Sequence, residues 1–326
     1  KASYLCFMPY IGNDLKRTVL KKIVVRSDSA IAGVFTLDPV KGMLPKEDTT
    51  HVITLLTDDF VLPNRSSQNM TAFMVIAPQN GEARLTCEFT VFDTLLGSTG
   101  VYTKTIDLAA IEPNMVYVVK ANCNNYVVDL GLPVKFLNHN MGAFAPEENG
   151  GYYAYGEMED KGSFSNNANS YVHYSTSAAD IANIRLTDYD VAHVRLAGNF
   201  SMPTSAELQM LIDSCAAWSW QSVAGHSGYL VTGKNGNTLF LPASGYRTTS
   251  TQNLSTRGVY RASMLVSPSV KKGWVLNFTS STKELNGSDG NFSAVYYGMS
   301  VRPVISSGVQ MTDGTLVQVM TDSVQW

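Results

Sequence analysis

The stretch Arg84-Leu85-Thr86-Cys87-Glu88-Phe89-Thr90-Val91-Phe92 alternates strictly, with Leu85, Cys87, Phe89 and Val91 falling on one side. A period of two is that of a pleated strand with one buried face, and no helix can line up this set. Upstream, Thr71-Ala72-Phe73-Met74-Val75-Ile76-Ala77 stops at the turn signal Pro78-Gln79-Asn80-Gly81. Further out, Leu20–Val25 and Gly33–Asp38 are β-branched runs parted by the polar turn Ser27-Asp28-Ser29. Downstream, Val101–Leu108 and Met115–Ala121 supply two more strands. Short strands, frequent turns and no helical period predict a β-sandwich over residues 1–124.

The texture changes at Asn124-Asn125, where the boundary to a second domain, 125–326, is placed. Aromatic and glycine content rises at Gly150-Gly151-Tyr152-Tyr153-Ala154-Tyr155-Gly156. Read as a strand, this places Tyr153 and Tyr155 on one face and Tyr152 and Ala154 on the other. Thr204 and Glu207 form a capping box, and Leu208, Leu211, Ile212 and Cys215 follow as one apolar helical stripe. A shorter helix is expected over Tyr189–Arg195, capped by Asp188. From Gly228 the chain returns to short strands and long polar loops, so the second domain reads as α+β. A closing hairpin, Val309–Met311 with Thr315–Val319, is expected around Asp313-Gly314.

With 326 residues the chain suits two domains. Only 16% of residues are charged, so the polar surface must be built largely from Ser, Thr, Asn and Gln, a pattern common in secreted β-rich proteins. Up to Val128 there are 12 basic and 12 acidic residues, leaving 12 and 15 beyond it. Neither part has the basic excess that phosphate-backbone binding requires, which argues against a nucleic-acid partner. No apolar run approaches the roughly 20 residues of a membrane span. Lys1-Ala2-Ser3-Tyr4 leads directly into strand-like sequence, so an exported protein is expected here in a mature or trimmed form. Cys6, Cys87, Cys123 and Cys215 lack metal-like spacing; they read as four buried thiols, or with Cys87 and Cys123 paired across a sheet.

The chemistry-bearing patterns are sparse. His51, His139, His173, His193 and His226 show no HxH or HExxH spacing, and Gly225–Gly236 has no phosphate-loop spacing. Glu147-Glu148 and Glu157 with Glu159 read as solvated loop charges. The expectation is therefore no catalytic residues, no metal site and no cofactor. What remains is recognition. Thr248–Ser255 and Thr279–Asn291 are long Ser/Thr/Asn-rich stretches bracketing Tyr260, Arg261 and Trp274, the chemistry of adaptable binding surfaces. The expected ligand-binding residues are Arg247, Tyr260, Arg261, Trp274 and Asn277, against the plainer reading of solvated loops over core aromatics.

Six ordered motifs carry a resemblance. They are Val128-Asp129-Leu130-Gly131-Leu132-Pro133-Val134-Lys135-Phe136, Gly142-Ala143 before Pro146-Glu147-Glu148, Gly151–Glu157, Met202–Leu208, Leu241–Arg247 and Tyr297–Val304. Over residues 126–305 the chain resembles a paralogous domain abundant in Fibrobacter and Bacteroides surface proteins. That family has the C-type-lectin and formylglycine-enzyme fold, a compact α+β domain. More loosely, Leu20–Ile23, Ile31–Thr36 and Asn114–Val119 resemble the fimbrillin-like, transthyretin-like sandwiches of the same bacteria.

The resemblance implies a cell-surface or pilus-tip adhesin, extracellular and attached to the outer membrane. Its first domain would join other pilus subunits by strand addition, and its second would bind a host or microbial glycan or protein. Two alternatives stand beside it, a structural pilus subunit without a ligand and a formylglycine-type or glycan-processing enzyme. Against the enzyme, no cysteine follows Cys215. Glu112-Pro113-Asn114 spells the calcium–sugar tripeptide of mannose-binding C-type lectins, but it falls in the first domain. The family commonly has Tyr-Trp-Ser-Ser where this chain has Tyr260-Arg261-Ala262-Ser263, which marks Arg261 as a candidate ligand contact.

Overall fold

The computed structural model describes the chain except residues 13–15, 39, 41, 65–71, 197–198, 288–291, 307–317 and 321–326, and leaves out the side chains at 37, 42, 43 and 318–320. The protein is predominantly β, with two short α-helices among the described residues. Its contacts form two compact units, one of Lys1–Leu95, Gly100–Tyr126 and Met311–Trp326, the other of Leu96–Thr99 and Val127–Gln310.

The first unit is built from β1 (Ser3–Tyr10), β2 (Thr18–Ser27), β3 (Phe35–Asp38), β4 (Gly42–Pro45), β5 (Val52–Val61), β6 (Ala72–Ile76), β7 (Ala83–Asp93), most of β8 (Ser98–Leu108) and β9 (Val116–Asn122). One sheet runs β8-β7-β2-β5 and the other β9-β1-β6, with β1 and β9 parallel. Strand β7 behaves as its alternation requires: Leu85, Cys87, Phe89 and Val91 are all fully buried. Phe7 of β1 meets Phe89 edge to face at 5.8 Å, which brings the two sheets together on this apolar row. Burial of such side chains stabilises the fold by roughly 1.5–3 kcal/mol each.

All four cysteines are free, and Cys6, Cys87 and Cys123 are buried, so Cys87 and Cys123 are not paired. Glu112-Pro113-Asn114 forms a turn ahead of β9. Tyr117 Oη accepts the Glu112 N–H at 2.7 Å, and Asn114 takes a left-handed φ of 66°. Most of the expected closing hairpin lies outside the described residues. Its described residues, Gln318 and Val319, lie in the strand Gln318–Met320, which pairs antiparallel with β9 and so belongs to the first unit.

The second unit contains β10 (Val127–Val128), β11 (Val134–Leu137), α1 (Val191–Arg195), α2 (Ser205–Ser214), β12 (Ala217–Val223), β13 (His226–Thr232), β14 (Thr238–Pro242), β15 (Tyr246–Arg247), β16 (Thr251–Gln252), β17 (Arg257–Ser267), β18 (Val270–Thr279), β19 (Lys283–Asn286) and β20 (Val304–Ser306). These make the small sets β10-β11-β20, β12-β13-β14, β15-β16 and β17-β18-β19. No helix among the described residues is long and apolar enough to cross a membrane.

Local chemistry sets the two helices. Thr204 Oγ1 accepts the Glu207 N–H at 3.2 Å and Glu207 Oε2 accepts the Thr204 N–H at 2.8 Å, the reciprocal cap expected for α2. Leu208 and Leu211 are buried, but the helix ends at Ser214, and Cys215 is extended rather than part of the stripe. The cap of α1 is Asp190, not Asp188. Its carboxylate accepts N–H bonds from Ala192, His193, Leu186 and Met202, at 3.0 to 3.2 Å.

The Tyr152–Tyr155 segment is not a strand. It makes one isolated bridge, Tyr153 to Met299, and all four residues are buried. A segment enclosed on all sides has no second face for alternate residues to take. The hydroxyls of Tyr152 and Tyr155 instead donate to the carbonyls of Ser244 (2.5 Å) and Ile181 (2.9 Å). Arg302 is likewise internal: its guanidinium donates to Asn140 Oδ1 (2.9 Å) and to the carbonyls of Leu137 (3.1 Å) and Phe240 (2.9 Å), fastening three segments at once.

Candidate functional site

Strands β17, β18 and β19 form the sheet that carries most of the residues singled out from the sequence. Its register pairs Val259 with Asn277 and Asn277 with Glu284, so these three share a face with Arg257, Arg261 and Val275. Val259 and Val275 are buried with Met299, and Tyr246, Phe292 and Tyr297 pack half-buried against them. The Tyr246 ring meets Phe292 at 5.5 Å and Tyr297 at 6.0 Å.

A polar row crosses this face. Arg257 donates through Nη1 to Asn277 Oδ1 at 2.8 Å, and Asn277 Nδ2 donates to Glu284 Oε1 at 3.0 Å. Asn286 Nδ2 donates to the same carboxylate oxygen at 3.2 Å. The chemistry fixes the amide's orientation: a guanidinium only donates and a carboxylate only accepts, so Oδ1 must face Arg257 and Nδ2 must face Glu284. The Arg257 guanidinium also lies 4.4 Å from the Phe292 ring centroid, within cation–π range. Asn277 is buried while Arg257 is half-buried and Glu284 exposed, so a buried amide positions two groups that reach solvent.

The five expected binding residues do not form one site. Asn277 is part of this row. Tyr260 and Trp274 point to the opposite face of the sheet by alternation. Tyr260 is 1% exposed, stacked on Phe278 at 5.8 Å, and donates its hydroxyl proton to the Pro242 carbonyl at 2.8 Å. Trp274 is half-buried and lies over Gly287. Arg247 is half-buried on β15, 4.3 Å from the Tyr152 ring centroid, and pairs with Asp160 at 2.9 Å.

Arg261 corrects the expectation drawn from the departure at Tyr260–Ser263. It shares the face of Asn277 but is fully buried, and its Nη2 donates to the carbonyls of Ala294 and Tyr297, both at 2.9 Å. Among the described residues its Nε and Nη1 have no hydrogen-bond partner, and burial pushes its pKa down to about 10. The hydroxyls of Tyr171 and Tyr155 act on it electrostatically, and among the described residues it forms no ion pair with a carboxylate. Such a group supports the Ala294–Tyr297 loop and cannot contact a ligand while the unit is folded.

Other reactive-looking groups are tied up locally. Asp190 and Glu207 cap helices, and Glu157 accepts the Val172 N–H at 2.8 Å while pairing with Lys161 at 2.5 Å. Burial raises the Cys87 thiol to about 12 and the Cys215 thiol to about 11, the opposite of nucleophilic activation. Among the described residues no three His, Cys, Asp or Glu side chains gather as metal ligands would. In the first unit an open concavity of about 490 Å³ is lined by Asp28, Glu82, Arg84 and Asp107, but Arg84 and Asp107 are a solvated pair at 3.3 Å.

This chain matches no family model, no curated protein and no solved structure. Sequence reasoning missed Arg257, Glu284, Tyr246 and Phe292. Arg257 and Asn277 lie 20 positions apart, and only the β17–β18 register joins them.

Proposed function

We propose that the chain is a cell-surface or pilus-tip adhesin of the fimbrillin-like kind suggested by its sequence motifs. In this reading the first unit is a transthyretin-like sandwich that joins other pilus subunits by strand addition. The second is a C-type-lectin-like reader for a glycan or protein ligand, displayed outside the cell, with no catalytic role. The observation that carries the reading is the Arg257–Asn277–Glu284 row beside Tyr246 and Phe292, where a fixed donor and a fixed acceptor reach solvent next to half-exposed rings. Rigid aromatics beside polar groups already held in place suit recognition, because little is left to order on binding.

Assembly is supported by two strands that end their sheets among the described residues. Strand β5 pairs only with β2 and exposes Leu56 (77%) and Phe60 (40%), while β6 pairs only with β1 and exposes Phe73 (51%) and Val75 (56%). Open edges with apolar side chains invite another strand. The same edges favour a second reading, a structural subunit without a ligand.

One experiment separates the two. Purified chain is screened against a glycan array and a panel of extracellular host proteins, with Arg257→Gln and Glu284→Gln variants alongside. The adhesin reading expects binding that both substitutions weaken. No binding to either panel, with pilus assembly intact, would leave the structural subunit.

A further inference from the structure

We infer that the Arg257–Asn277–Glu284 face binds an uncharged pyranose ring, and that it does so without a divalent cation. The inference rests on the adhesin reading and names its ligand. A sugar hydroxyl both donates and accepts, so adjacent hydroxyls are best met by a donor and an acceptor held in one plane. This face offers that pair. Arg257 uses one Nη1–H on Asn277, and its half-buried guanidinium has further N–H groups to offer a ligand. Glu284, an exposed residue, takes Asn277 and Asn286 on Oε1, so Oε2 is the acceptor it can offer a ligand. The Tyr246 and Phe292 rings beside them supply a half-exposed apolar surface for the C–H face of a sugar.

Charge decides against the alternatives. One cation and one anion share a single amide, so the row carries no net charge. A carboxylate ligand drawn to Arg257 meets Glu284, and a cationic ligand drawn to Glu284 meets Arg257. A divalent cation needs oxygen ligands, but the groups turned toward the Glu284 carboxylate are the amide nitrogens of Asn277 and Asn286, and the Asn277 oxygen is taken by Arg257. Asn277 is thus a positioning residue, buried and touching both contact groups.

The test uses the full chain and the methyl glycosides of glucose, galactose and mannose, with methyl glucuronide as the charged comparison. Binding is read by saturation-transfer NMR and calorimetry, in calcium and in EDTA. At least one neutral glycoside is expected to bind with a Kd that EDTA changes less than about twofold. Glu284→Gln, at an exposed position, and Arg257→Gln are each expected to weaken it about tenfold. Asn277→Asp should do the same by turning a carboxylate toward Glu284, with circular dichroism confirming an unchanged fold.

Tighter binding of the glucuronide, loss of binding in EDTA, or full affinity in Glu284→Gln would overturn the inference. If no glycoside binds but a host protein does, and Arg257→Gln abolishes that, the sugar is wrong and the adhesin reading stands. If neither binds, both fall.

Discussion

Gly258 gives the sharpest test of how the second unit is packed. Its φ is outside the left-handed region, so an alanine there is conformationally allowed. The obstacle is the Phe278 ring, whose Cζ, Cε1 and Cε2 lie within the space a Cβ would fill. Carbon atoms rest about 3.5–4.0 Å apart, so the ring would have to retreat by more than ~1 Å. It has little room. Tyr260 stacks on it at 5.8 Å, Tyr229 meets it at 5.4 Å, and Trp218 and Trp220 close it at 6.4 and 6.3 Å. Overpacking a filled core typically costs about 1–3 kcal/mol, and the enclosure of Phe278 places Gly258→Ala near ~3 kcal/mol.

Phe278→Leu alone removes ring contacts and should cost about 1–2 kcal/mol, but it opens the space a methyl needs. The double variant is therefore expected to be more stable than the sum of the single losses by at least ~1 kcal/mol. Urea unfolding followed by tryptophan emission suits the measurement, because Trp218 and Trp220 border the ring. A Gly258→Ala loss below about 0.5 kcal/mol, or additive losses in the double variant, would refute the packing argument.

His139 is buried and its Nδ1–H donates to the Asn140 carbonyl at 2.8 Å, and burial lowers its pKa from 6.5 to about 4. Between those values the unfolded chain binds a proton the folded chain refuses, so stability should fall as pH drops from 6.5 toward 4, by on the order of 3 kcal/mol. Comparing urea midpoints at pH 7 and 5 for wild type and His139→Gln checks this, since the variant should lose that slope. Asp190→Ala strands the buried N–H groups of Ala192 and Met202 and should cost about 3–5 kcal/mol, measured by the same unfolding. Native alkylation with iodoacetamide at pH 8 should leave Cys87 and Cys123 unlabelled until urea is added; stoichiometric labelling of either in the folded protein would contradict their burial.

Sequence by itself determined whatever depends on near neighbours along the chain. The alternation Leu85–Val91 placed a buried strand face, and Thr204 with Glu207 wrote the helix cap, because both signals are read within a few residues. Where contacts are long-range the sequence was silent or misleading. The aromatic run Tyr152–Tyr155 alternates like a strand yet is enclosed on every side. Arg261 stands in a polar-looking neighbourhood, but tertiary packing buries it under the Ala294–Tyr297 loop. The proposed binding row exists only because the β17–β18–β19 register sets Arg257, Asn277 and Glu284 side by side, while Phe292 arrives from a later loop. Local periodicity decides which way a side chain points from its own strand. What it meets there depends on which distant segment pairs alongside, and that is settled by the packing of the whole unit.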